Sequence, residues 1–180
     1  MIRAVIRLGF VGATLAWLAD TALRRSAADG RPAPVSSLVV IDASIDRVWW
    51  ELADIEGQTR WMREMTSVRL LTPLPVRVGT RGEATVRILG VTVTDPVTVT
   101  AFEPPTRFEV RHEGAFSGTG TITLEGGADG STTIVRWDET LVAPFLPHLW
   151  AMLASPVLGA IFQADLERFR AICEDRPLEG

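Results

Sequence analysis

The stretch GTRGEATVRILGVTVTDPVTVTAF, residues 79–102, alternates apolar and polar side chains on both sides of Leu89-Gly90. Successive strand residues point to opposite faces, so a period of two reads as β-structure. Gly82, Ala84, Val86 and Ile88 share one face, with Arg81, Glu83, Thr85 and Arg87 opposite. After the turn, Val91, Val93, Asp95, Val97, Val99 and Ala101 fall on one side, and Thr92, Thr94, Thr98 and Thr100 on the other. Two such runs joined at Leu-Gly predict an antiparallel hairpin with one dry and one wet face.

The same pattern continues outward. Arg107–Glu113, Phe116–Glu125 and Thr132–Leu141 are further strands, separated by Glu103-Pro104-Pro105, Glu113-Gly114 and Gly126–Gly130. Upstream lie Leu38–Ile41 and Ser67–Thr72, and between them a helix over Ile45–Ala53 capped by Ser44, then a short helix over Gly57–Glu64. A long helix from Pro147 to Glu174 closes the chain, and Pro156 is expected to restart or kink it. The order predicts an α+β protein: a curved antiparallel sheet of six to seven strands wrapped around the C-terminal helix.

The first 36 residues are different in kind. Leu8–Ala19 carries no charge but is shorter than the roughly 20 residues that span a bilayer. On a helical wheel Arg3, Arg7, Thr14, Thr21 and Arg25 form one narrow polar stripe, which suits a helix lying at a membrane interface. A spanning helix, a helix packed on the protein itself, and a signal peptide cut after Ser26-Ala27-Ala28 are the other readings. Membrane attachment through residues 1–25 is the expectation, followed by a linker over 26–36, a folded domain over 37–175 and a tail at 176–180.

Composition excludes several chemistries. The chain has 180 residues, enough for one domain with one core, and a net charge of −4, which excludes a generic nucleic-acid binder. It holds no Lys and no Tyr, so lysine Schiff bases and tyrosine acids are absent. The single Cys173 permits no intramolecular disulfide, and His112 and His148 lie too far apart in sequence to suggest a metal site. No metal and no cofactor is expected. The all-Arg basic set reads as GC-rich codon bias, hence a bacterial source, with the cytoplasmic side of the membrane the expected location.

Several local motifs match a known family. Val40-Ile41-Asp42-Ala43-Ser44-Ile45-Asp46-Arg47-Val48-Trp49 resembles the opening strand and helix start of the SRPBCC superfamily, the helix-grip or START-like domains, with Ser44 in place of a proline. Trp61, Val78-Gly79-Thr80, Phe102-Glu103-Pro104-Pro105 and Thr132–Trp137 follow in the family's order, and the match is similar to polyketide cyclase/dehydrase-like members over about Leu38–Glu174. The resemblance implies a helix-grip fold with a hydrophobic cavity between sheet and C-terminal helix. It implies binding of a lipid, quinone, sterol-like or polyketide-like molecule, and carries over no catalytic residue.

Alternation then supplies candidates. Asp95, His112 and Glu139 point to the dry face, a His and two carboxyl groups fit for acid–base work. Trp49, Trp61, Val86, Val97, Phe108, Val110, Phe116, Gly118, Gly120, Trp137, Val157, Ile161 and Phe162 are the candidate ligand contacts. Gly118 and Gly120 are expected to leave unfilled volume facing the helix. Three functions stay open: a membrane-associated binding or transport module for an apolar molecule, a cyclase or dehydratase without metal or nucleotide, and a scaffold whose cavity is filled. Ligand-sized dry volume marks the first, convergent ionisable groups the second, and the absence of a ligand-sized cavity the third.

Overall fold

The computed structural model describes residues 2–27, 30–88 and 90–175, with side chains from residue 12 onward except Ile88. Arg3 and Arg7 of the polar stripe, Ala28, Leu89 and the tail from residue 176 therefore lie outside the described side chains. The elements run α1 (Ile2–Ser26), β1 (Val35–Ile41), α2 (Ile45–Ala53), a 3₁₀ turn (Glu56–Arg60), β2 (Met65–Leu70), β3 (Arg81–Ile88), β4 (Val91–Glu103), β5 (Arg107–Glu113), β6 (Ser117–Gly126), β7 (Thr133–Val142) and α3 (Pro147–Cys173).

All seven strands form one antiparallel sheet in the order β1-β7-β6-β5-β4-β3-β2. The expected helix-grip α+β architecture is what the chain adopts. The face assignment holds: Ala84, Val99, Phe108, Ile122, Leu124, Val135 and Trp137 are buried on the concave side. Opposite them, Thr100 and Thr121 hydrogen-bond Glu109 at 2.7 and 3.2 Å, and Thr85 meets Thr94 at 3.0 Å. Val48 and Leu52 of α2, Trp61, and Leu158, Phe162, Leu166, Phe169 and Cys173 of α3 complete the core. Each such large side chain contributes roughly 1.5–3 kcal/mol by leaving water.

α3 packs most closely along β1 and β7, at one side of the sheet. It also covers the free edge of β1. The Gln163 amide accepts from Leu38 N at 3.4 Å and donates to Leu38 O at 3.1 Å, and Glu174 accepts from Asp42 N at 2.7 Å. An otherwise open row of backbone groups is thereby closed to pairing with another chain. Cys173 sits in this interface, and burial pushes its thiol up to about 12, so it packs as an apolar group.

The start of α3 is unusual. Its N-cap, Leu146, is left-handed at φ 48° and supplies no side-chain cap. Asp20 of α1 does so instead, accepting from His148 N at 2.8 Å and Leu149 N at 2.9 Å. A carboxylate on two otherwise unpaired N–H groups suits both hydrogen bonding and the helix dipole. His148 Nε2 lies 3.3 Å from Gly30 O, which ties the connection after α1 to the same helix.

Four local expectations are corrected. The second short helix is a five-residue 3₁₀ turn that closes at Trp61, whose ring drops into the core at 1% exposure. Phe116 lies in the turn before β6 rather than in the strand. β1 begins at Val35, three residues before Leu38, because Val35–Ser37 pair with Glu139–Trp137. α3 does not restart at Pro156 but runs through it as one helix, the neighbouring Ser155 hydroxyl donating back to Ala151 O at 2.6 Å.

Candidate functional site

Four adjacent strands bring the three ionisable candidates together. Asp95 lies on β4, His112 on β5 and Glu139 on β7, with β6 between the last two. His112 Nδ1 stands 2.9 Å from Asp95 Oδ2, and Nε2 stands 3.0 Å from Glu139 Oε1. The Trp137 indole N–H donates to Glu139 Oε2 at 2.9 Å. All three groups are largely buried, His112 the least so, its side chain keeping 19% exposure.

Two glycines make this possible. Gly120 is the cross-strand partner of Glu139, and a methyl built there would collide with the Glu139 carboxylate. Glu139 therefore reaches across β6, through the space a side chain would fill, to meet His112 one strand further on. A methyl at Gly114, in the turn after β5, would likewise collide with the Asp95 carboxylate and press on Pro96. Gly118, at φ 151°, is required by close approach to the Thr140 carbonyl of β7. The expected empty volume at Gly118 and Gly120 is thus corrected: backbone occupies one place and a carboxylate the other.

The electrostatics follow from the geometry. Burial alone would lower the His112 pKa, but the hydrogen-bonding and charged partners Asp95 and Glu139 outweigh it and raise it to about 9. At neutral pH the ring is an imidazolium, hydrogen-bonded to Asp95 through Nδ1 and in charge contact with Glu139 through Nε2. It is suited to holding negative charge or releasing a proton, and not to acting as a base. Asp95 Oδ1 keeps unused acceptor capacity within this cluster. Among the described residues no three His, Cys, Asp or Glu side chains are arranged to hold a metal ion.

The other candidates scatter. Phe108, Trp137 and Phe162 are buried, Trp137 and Phe162 stacking at 4.5 Å between ring centres. Trp61 packs on Trp137 and Phe169, so it is a core residue, and Trp49 is half-buried against Phe102. Val86, Val97 and Val110 are half-buried on the concave face, and Phe116 stacks on Trp150 at 5.0 Å. Val157 and Ile161 lie elsewhere, in an open groove.

Two spaces adjoin α3. An enclosed gap of about 10 Å³ lies between Glu139, Leu141, Trp150, Leu158 and Phe162, room for about one water. On the other flank, an open groove of about 600 Å³ runs between the Arg63-Glu64 segment and Pro156, Val157, Ala160, Ile161, Ala164 and Arg168. Buried Asp165 ties two of the lining residues together, accepting from Arg63 N at 3.1 Å and pairing with Arg168 at 2.8 Å. Burial pushes the Asp165 pKa up to about 6 despite those partners. The ligand-sized one of these two spaces is the groove on the flank of α3, whereas the gap between sheet and helix beside Glu139 has room for about one water. Strand alternation does not point to Arg63, Ala160, Ala164 or Asp165, because nothing in a period of two marks a helix flank.

The profile of the polyketide cyclase/dehydrase and lipid transport family matches residues 32–174. The chain belongs to this family. Solved structures agree at the level of fold. A START superfamily protein from Mycobacterium smegmatis superposes with a TM-score of 0.64 at 15% identity, over 79% of this chain and 98% of its own. The Helicobacter pylori protein jhp0584 gives 0.67 at 14% identity, over 81% and 90%. The Thermus thermophilus protein TTHA0849 gives 0.63 at 19%, over 78% and 96%. No curated protein sequence matches the chain. All of α1 lies before the family match.

Proposed function

We propose that this chain of the polyketide cyclase/dehydrase and lipid transport family binds a hydrophobic small molecule, of lipid, quinone, sterol-like or polyketide-like character, as a membrane-associated binding or transport protein. The observation that carries the reading is the open groove of about 600 Å³, walled by Pro156, Val157, Ala160, Ile161 and Ala164. Its volume falls in the range of small-molecule sites, and one wall is wholly apolar. The test is native mass spectrometry of protein extracted from its own cells, with titration of a fluorescent apolar probe. A co-purifying apolar mass, and probe affinity weakened by Ile161→Asp, are expected. Protein that carries no such mass and binds no apolar probe refutes the reading.

A second reading is acid–base chemistry of the cyclase or dehydratase kind. The convergence of Asp95, His112 and Glu139 favours it, with the His112 imidazolium as the proton donor. It requires turnover of a poly-β-ketone substrate that His112→Gln abolishes. Turnover unchanged in that variant would return the trio to a purely structural role.

A further inference from the structure

Residues 141–164, LVAPFLPHLWAMLASPVLGAIFQA, hold no Asp, Glu, Lys or Arg. Core packing accounts for one side of this run only. Leu158 and Phe162 face the sheet, whereas Phe145 is 83% exposed, Leu153 66%, Met152 50% and Val157 47%. With Pro156 and Ala160, also exposed, Met152, Leu153 and Val157 recur at helical spacing and form one stripe along α3, and Phe145 lies just before the helix. α1 repeats the arrangement: Ala16, Asp20, Leu23 and Ala27 are half-buried, while Leu15, Trp17 and Leu18 are exposed. Asp20, bonded to the first turn of α3, joins α1 to the start of that helix. Among the described residues, seven of the fifteen exposed large hydrophobics lie on these two helices or just before α3.

The polar groups of the two helices identify the occupant. Thr21 bonds to Trp17 O, Ser26 to Ala22 O and Ser155 to Ala151 O, each within its own helix. Asp20 is spent on α3, and His148 is buried. A protein interface carries about one hydrogen bond per 100–200 Å². The α3 stripe offers almost none, which is the condition hydrocarbon demands of polar groups, whereas on α1 exposed Thr14, Arg24 and Arg25 stand among Leu15, Trp17 and Leu18. Arg24 and Arg25, both exposed at the end of α1, stand where anionic headgroups would meet it. α3 is long and apolar enough to cross a membrane. Leu158, Leu166 and Phe169 nevertheless bind it lengthwise to the sheet, so it can lie along a membrane and not across one.

We propose that the outer face of α1 and the Phe145–Ala160 stripe of α3 together rest on a lipid bilayer, with α3 in the plane of the interface. Pro156, Val157 and Ala160 belong both to this stripe and to the groove. The groove therefore opens toward the acyl chains, and an apolar cargo passes between bilayer and protein without crossing water. The docking deepens the membrane association of the proposed function, and the cargo clause rests on its ligand-binding part.

The test is flotation of the full chain with phosphatidylcholine vesicles, with and without phosphatidylglycerol. Wild type is expected to float with both, more strongly with the anionic ones. Phe145→Asp/Leu153→Asp, at exposed positions that cost little in folding, removes two anchors. Each anchor is worth tenfold or more by about 1.5–3 kcal/mol of side-chain burial, so the double variant is expected to stay with the unbound protein. Val78→Asp, an equally exposed apolar site on a loop, is expected to float as wild type does. A polarity-sensitive fluorophore on Leu153→Cys, with Cys173 shielded by burial, is expected to shift to the blue on adding vesicles. Unchanged flotation of the double variant, no shift, or wild type that never floats overturns the proposal. So does a solution dimer that the double variant converts to monomer, since the face would then be covered by a second copy. Solution binding of the apolar probe, measured on the same variants, reports separately on the groove.

Discussion

Gly120→Ala is the smallest change that tests the arrangement of Asp95, His112 and Glu139. A methyl at residue 120 overlaps Glu139 Oε2 and stands 3.2 Å from Cδ and 3.3 Å from Oε1. The carboxylate has to swing away, giving up the Trp137 bond at 2.9 Å and the His112 contact at 3.0 Å. Breaking a buried charge pair by displacing one partner costs about 3–5 kcal/mol, and replacing a strand glycine returns up to about 1 kcal/mol. A net loss of about 2–4 kcal/mol is therefore expected in urea unfolding near neutral pH. The pH dependence gives a second readout. The folded pKa of His112, about 9, is raised above its unfolded value of 6.5. Its stabilisation is fully present below 6.5 and is lost as pH rises through 9. For wild type the loss across that window is about 3 kcal/mol, each tenfold change in proton affinity being worth about 1.4 kcal/mol. In Gly120→Ala the His112 ring should titrate lower, and the fall in stability across the same window should be shallower. The assay is urea unfolding at both ends of the window, with proton NMR of the ring; His112 and His148 are the only histidines, so a His112→Gln control assigns the signals. If Gly120→Ala is as stable as wild type and its ring titrates unchanged, the space opposite Glu139 is empty and the reasoning is wrong.

Gly118→Ala is expected to cost more than Gly120→Ala, because its methyl meets the backbone carbonyl of Thr140, which has no rotamer to escape into; thermal unfolding of the pair gives the ranking. Asp20→Ala removes both caps of α3 and should lower stability by about 1–2 kcal/mol, with limited proteolysis showing α1 released; equal resistance to cleavage in the two proteins would count against the docking of α1. Cys173, with its thiol pushed up to about 12, should stay unmodified by an aromatic disulfide reagent in native protein and react on unfolding; rapid native labelling would show that the α3–sheet interface opens.

The alternation of residues 79–102 and its repeats was enough to settle the sheet, its wet and dry faces and the burial of Asp95 and Glu139, because side-chain direction in a strand is a local property of the backbone. The same logic identified Ser44 as the cap of α2, since capping spans only three residues. Gly118 and Gly120 mark where it stopped. Pattern reading registers a missing side chain but not what enters the space, and the occupants, Thr140 O and the Glu139 carboxylate, come from the neighbouring strand β7. Similarly, Asp20 in residues 1–25 reads as an isolated charge in an apolar run, and only the docked helices show it holding the first turn of α3. The groove beside Pro156–Arg168 depends on which flank of α3 the sheet leaves uncovered. That is set by the packing of Leu158, Phe162, Leu166 and Phe169 against β1 and β7, a competition among long-range contacts that no local periodicity encodes.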